Sequence, residues 1–186
     1  MKAFGGIAFV IFAVSASPAL AAGWHVDPSQ SQLGFLATQG GEPFQGKFGK
    51  LTADIDFDPA KPTAGHVLVR IDMSSATTGD RQRDEALPQV EWFDVKEFPE
   101  ARFEANGFRA AGSGTFEALG QLTLRGVTKP LVLPFTFQQS GETARAQGQV
   151  AFERGDFGVG QGIWASGQWV GTTVTVTFDL TAKPLP

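Results

Sequence analysis

Cysteine is absent from this chain, so neither a disulfide nor a thiolate site is available, and the fold has to hold through its core alone. Histidine occurs only at His25 and His66, which leaves any Ser/His/Asp site one of two imidazoles for its base. Tyrosine is missing too, although there are 17 Phe and 4 Trp. Aromatic surface of that extent without a hydroxyl must be buried or must line something. Clustered positive charge is also lacking. The formal net charge is −4 and the basic residues are scattered singly, which argues against a nucleic-acid partner and against docking on an anionic membrane surface.

Long apolar runs are confined to the start of the chain. Met1 to Ala21 reads as a secretory leader: Lys2 supplies the charge, Phe4 to Val14 the apolar stretch, and Ala19-Leu20-Ala21 the small-residue cleavage signal. The stretch is too short and too interrupted to span a bilayer, and no second run of about 18 apolar residues follows. The expectation is an exported, soluble protein cut after Ala21, with a single domain over 22–186 and no membrane span. Without a cysteine after the leader, a lipid-anchored N-terminus is excluded.

Most of 22–186 alternates between apolar and polar residues, the signature of strands with one buried face. Leu33 and Phe35 open the series. From Phe44 to Phe48 the even positions are apolar, yet Leu51, Ala53, Ile55 and Phe57 are odd, so a bulge is expected near Gly49 to keep one face inward. Val67, Val69, Ile71 and Met73 follow, then Phe103 and Ala105, then Phe116, Ala118, Gly120, Leu122 and Leu124. Gly126 and Lys129-Pro130 are expected to turn the chain into the row Leu131, Leu133, Phe135 and Phe137. Ser140-Gly141-Glu142 reads as a hairpin into Ala144, Ala146, Gly148, Val150 and Phe152, and Val170, Val174, Val176, Phe178 and Leu180 alternate with threonines at the end. The pattern predicts an all-β fold of eight antiparallel strands, a meander closed into a barrel that leaves no exposed edge.

A barrel of eight strands is just wide enough either to fill with its own side chains or to keep one slender ligand. The small inward residues Ala105, Ala118, Gly120, Ala144, Ala146 and Gly148 could leave room for one. Interdigitation of facing phenylalanines over those same residues is the alternative, and periodicity does not separate the two.

One long stretch, Ser74 to Phe103, lacks strand alternation. Asp80 can cap a short helix from Arg81 to Leu87, and Pro88 stops it. Val90, Trp92, Phe93, Val95 and Phe98 follow at once, so the stretch is half charged and half aromatic, suited to lie across the open end of an apolar container as a lid. Within it the run T-T-G-D-R-Q-R-D-E-A-L, with W-F-D and F-P-E-A-R-F after it, joins W-H-V-D-P-S-Q-S at the start and G-Q-L-T-L-R-G-V-T-K-P-L-V-L-P-F later on. Together, and in this order over nearly the whole of 22–186, these motifs resemble the YceI-like family of bacterial periplasmic proteins.

The resemblance implies a lipocalin-like antiparallel barrel with a short helical lid segment, a periplasmic location, and an apolar channel holding a polyisoprenoid-type lipid. It implies no cofactor other than such a bound lipid or a quinone. Similarity is strongest to the branch associated with membrane b-type cytochromes, which makes a quinone the implied ligand and a cytochrome the implied partner. Where many relatives carry histidine, this chain has Gln30, Ala86 and Arg125, so no role of those histidines carries over. On this reading the channel is lined by Phe35, Phe48, Phe57, Ile71, Phe103, Leu122, Phe135, Phe137, Ala146 and Phe152, with Leu87, Trp92, Phe93, Phe98 and Trp164 closing over it. Arg81, Arg83 and Asp84 either meet a polar head group at the mouth or merely tie the lid down by an ion pair.

Catalytic and metal signatures are weak. His66 falls on the outward face, and His25 beside Trp24 reads the same way. Asp54, Asp56 and Asp58 share a strand face without the spacing of a calcium loop. Phe157 to Gly162 is glycine-rich but opens no helix, and reads as a flexible loop before the last strand. Three functions stay in play: a carrier or reservoir for an isoprenoid lipid or quinone, an enzyme acting on such a lipid, and a ligand-free interaction module for a membrane cytochrome. A non-enzymatic carrier is the expectation, with oligomeric state open.

Overall fold

The computed structural model describes residues 23–185, so the leader reading of Met1 to Ala21 lies outside the described residues. The strands are β1 (Gly23–Val26), β2 (Gln32–Gln39), β3 (Glu42–Phe48), β4 (Leu51–Asp56), β5 (His66–Asp72), β6 (Ala76–Thr77), β7 (Glu100–Gly112), β8 (Thr115–Leu124), β9 (Val127–Ser140), β10 (Thr143–Glu153) and β11 (Thr173–Pro184). Every pairing is antiparallel, and β1 and β2 both flank β11, which closes the barrel.

The eleven pieces make eight staves, because three staves are each bent in two. β1 and β2 pair with successive parts of β11, β3 and β4 pair with β2 and β1, and β6 continues β5 beside β3. The expected bulge near Gly49 is a full break between β3 and β4. Ser75 fills it: its carbonyl accepts from the Gly49 N–H at 3.1 Å and its hydroxyl from the Lys50 N–H at 3.1 Å, so neither donor is orphaned where the inward face changes parity.

A second expectation is corrected at the β8–β9 turn. The chain reverses at Arg125 and Gly126, both at positive φ (50° and 73°), as a two-residue hairpin requires, while Lys129 and Pro130 already lie in β9. The other tight turns carry their glycines where φ is positive, such as Gly141 between β9 and β10.

The two ends of the barrel differ. At the end holding the β7–β8 and β9–β10 hairpins, the rings of Phe57, Phe108, Phe116, Phe135, Phe137 and Trp24 meet mostly edge to face at centroid distances of 4.8 to 5.9 Å. The Trp24 indole N–H donates to the Phe57 carbonyl at 2.9 Å, so the one polar atom of this plug is satisfied. At the other end two excursions leave the sheet, residues 78–99 between β6 and β7 and residues 154–172 between β10 and β11.

Candidate functional site: a lidded apolar cavity

Between the aromatic plug and the two excursions lies a cavity of about 240 Å³. Its walls are the inward rows of the strands, and every lining residue is apolar except Arg154. Phe35, Phe48, Phe57, Ile71, Phe103, Leu122, Phe135, Phe137, Ala146 and Phe152 all reach it, as do Leu87, Trp92 and Phe93 from the first excursion. Phe98 and Trp164 do not: Phe98 packs over Gly126, where a Cβ would strike its ring, and Trp164 stacks outside Trp92 at 5.6 Å.

The small inward residues divide into two kinds. Gly46, Gly120 and Gly148 are covered: a Cβ on any of them would run into the ring of Phe35, Phe103 or Phe178 respectively, on the neighbouring strand. Those glycines therefore seat phenylalanines rather than leave room. Ala146 and Ala144 do border the cavity. Space and packing thus coexist in one barrel, at different positions.

The first lid begins as the sequence suggests. Asp80 caps α1 (Arg81–Ala86), accepting from the Arg83 N–H at 3.0 Å. Asp84 points away from the cavity and binds the lid to β6, accepting from the Thr77 hydroxyl at 2.6 Å and from the Thr78 N–H and hydroxyl at 2.6 and 2.7 Å. Those donors, the Thr77 hydroxyl first, hold its carboxyl below the ordinary aspartate range. Arg83 lies over the Phe44 ring at 4.6 Å and donates to Gln39 and Thr78. Arg81 is exposed and faces only Glu85. None of the three lines the cavity: Asp84 and Arg83 anchor the lid, by hydrogen bonds rather than by an ion pair, and Arg81 stands in solvent outside it.

The second excursion, read from sequence as a flexible loop, is a second lid built on Arg154, which is 3% exposed. All five of its N–H groups are used: Nε donates to Gly171, Nη1 to Val159 and Gly160, and Nη2 to Trp164 and Val170, each a backbone carbonyl at 2.6 to 3.2 Å. Its guanidinium also sits 5.3 Å from the Trp92 ring of the first lid. Burial pushes this guanidinium below its ordinary pKa, and the five carbonyl dipoles take the place of a carboxylate partner. Nothing is left over on Arg154 for a ligand.

The lids are joined. Glu91 O accepts from the N–H groups of Gly160 and Gln161 at 2.7 and 2.8 Å. From the β8–β9 turn, Arg125 donates to Val90 O of the first lid and Gly158 O of the second, both at 2.6 Å. Neither arginine was legible as a site residue, because a side chain donating to backbone carbonyls leaves no period or motif.

Titratable groups elsewhere stay on the surface. His66 lies on the outer face 3.7 Å from Glu104, and among the described residues no group of His, Asp or Glu side chains converges as a metal site would need. Among them, too, no helix is long and apolar enough to cross a membrane.

A closed eight-stranded antiparallel barrel with a lidded, carbon-lined interior defines a lipocalin-like barrel. The chain belongs to the YceI-like family: a YceI-like domain matches residues 24–182. It is similar to a UPF0312 protein of Pseudomonas putida (strain W619), 29% identical over 185 residues, which are 94% of this chain and 95% of that one. Among solved structures it resembles Burkholderia cenocepacia BcnA, with a TM-score of 0.82 and 32% identity over 85% of this chain and 99% of that one. It shares its fold with a polyisoprenoid binding domain from Saccharophagus degradans, with a TM-score of 0.72 and 20% identity over 88% and 99% of the two chains.

Proposed function

We propose that this protein is a periplasmic carrier or reservoir that shelters the apolar tail of an isoprenoid lipid, of polyprenyl or quinone type. The observation that carries the reading is the cavity, lined only by hydrocarbon apart from an arginine whose donors are all engaged. A preformed, dry, narrow space of that kind favours a slender apolar chain. The family and the name of the Saccharophagus degradans domain support it. Burying several hundred square ångströms of such a chain yields on the order of 10 kcal/mol gross, against about 4 to 15 kcal/mol lost in association, so a rigid barrel is what makes the balance favourable.

The same lining bears on the head group. A phosphate drawn into the cavity would lose its water without gaining a donor, which costs several kcal/mol or more. A neutral head, as in a quinone or a free prenol, suits the interior, and a charged one belongs outside. No titratable group apart from Arg154 faces the cavity, so binding is favoured over catalysis on the lipid. A membrane b-type cytochrome as the partner exchanging that lipid belongs to the same proposal.

The test is organic extraction of the protein purified from the periplasm, followed by mass spectrometry. One isoprenoid per chain, on a protein whose N-terminus begins at Ala22, is the expected result. A protein recovered empty that also takes up no added prenol or quinone overturns the carrier reading and leaves the interaction module in its place.

A further inference from the structure

The barrel wall is not hydrogen-bonded all the way round. β9 and β10 pair from Ser140↔Thr143 only as far as Phe135↔Gly148. Both strands run on toward the lids, β9 keeping its partner β8 to Val127↔Leu124 and β10 keeping β11 to Glu153↔Thr173. Along the seam between residues 127–134 and 149–153 the ladder between the two strands is not continued.

The sequence explains why. In an antiparallel strand alternate residues turn their backbone groups to opposite neighbours. The hairpin register puts the even residues of β9 toward β10, and two of those in the seam are Pro130 and Pro134, which have no N–H to give. Proline belongs on edge strands, so this half of β9 is written as an edge inside a closed barrel. The inward side chains beside the seam, Leu131, Leu133, Val150 and Phe152, line the cavity yet are only half buried. Outside, Val132 (48% exposed) and its cross-strand partner Leu119 (44%) form an apolar lip. One exposed ion pair, Lys129 to Asp156 at 3.1 Å, crosses the lid end of the seam.

We propose that this seam is the portal through which the apolar tail enters and leaves, while both lids stay shut. Parting the lids breaks the two hydrogen bonds to Glu91 O, the Arg125 bridge and the contact of Trp92 with Arg154, whereas no ladder pairing crosses the seam and the ion pair at its lid end is solvated and worth little. The cavity size points the same way. About 240 Å³ lies below the roughly 300–1,000 Å³ of ordinary ligand pockets, so a long prenyl chain could house only part of itself and the remainder needs an apolar way out. The inference rests on the carrier reading.

The chain has no cysteine, so a Val132→Cys/Ala151→Cys pair, opposed if the hairpin register is continued, can be oxidised to bolt the seam. Binding and release of N-phenyl-1-naphthylamine are followed by stopped-flow fluorescence. Bolting the seam is expected to slow both rates by about tenfold or more at nearly unchanged affinity, with recovery on reduction. A Pro130→Val/Pro134→Val variant, which restores two donors and lets the ladder zip further, should slow them in the same direction without a covalent link. A Glu91→Cys/Gln161→Cys bolt across the lid joint should leave them unchanged. Rates that respond to the lid bolt and to neither seam variant overturn the portal while leaving the carrier reading intact. Failure of the unaltered protein to bind the probe removes the carrier reading, and the portal with it.

Discussion

The plugged end and the lidded end seal the same cavity by opposite means. At the plug, rings contact rings and the only hydrogen bond is the one from Trp24 to Phe57. At the lids, Asp84 binds hydroxyls and an amide of Thr77 and Thr78, Arg154 gathers the carbonyls of its own excursion, and Arg125 reaches a carbonyl of each excursion. Apolar burial scales with the area removed from water, whereas hydrogen bonds hold one arrangement and are costly to leave unmade. The plug is therefore a stability element and the lids are a shape element.

That contrast is broken most directly by Phe57→Ala. Phe57 touches four aromatic rings, and its removal should cost about 3 to 5 kcal/mol in urea denaturation while residues 155–172 remain protected from protease. A loss below about 1 kcal/mol would show that the plug is not a packed seal. Arg154→Met is the mirror experiment. It strands five carbonyls, which should cost about 2 to 3 kcal/mol, open 155–172 to proteolysis and empty the cavity of bound lipid. Equal protease sensitivity in the two variants would erase the distinction between the ends.

A subtler pair separates room from packing within the wall. Gly148→Leu meets the Phe178 ring and the Pro134 carbonyl, and should destabilise the barrel by about 1 to 3 kcal/mol. Ala146→Phe projects into the cavity and should leave the melting transition within about 1 kcal/mol of the parent while abolishing lipid retention. Lipid kept by Ala146→Phe would place the ligand elsewhere.

The smallest effect belongs to Asp84. Its carboxyl is held below the ordinary range in the folded protein, so its contribution is complete above the pKa it has unfolded and declines as pH falls through the lowered folded value. Asp84→Asn should cost about 1 kcal/mol or less at neutral pH and flatten the acid limb of the stability curve. An unchanged acid limb would mean that Asp84 does not anchor the first lid.

The plug and the walls were largely legible in the sequence, and the lids only in part. Phe48, Phe57, Phe103, Leu122, Phe135, Phe137, Phe152 and Phe178 all face the interior, because strand parity is dictated by which side is dry. Asp80 and Pro88 marked the helix for an equally local reason. The anchoring roles of Arg154 and Arg125 were not legible, since a single arginine carries no local pattern, and Arg125 meets its partners only once the barrel has brought its turn and both excursions together. The glycines misled in a different way. An inward glycine signals either space or a ring laid across it, and only the register, which sets Phe178 opposite Gly148, decides between them.

Closure of the barrel by its first and last strands has a consequence for how the molecule assembles. Trp24 pairs with Pro184 and Leu33 with Phe178, contacts between strands remote in sequence, and remote contacts are expected to form late because the loop entropy they spend is recovered last. Until β11 docks, the nascent sheet is an open trough with its phenylalanines on view. The cavity then comes into being in one late step rather than growing gradually. A hydrophobic chain lying in the trough at that moment would be enclosed as the cylinder forms, so first loading can happen during folding, on a different clock from every later exchange.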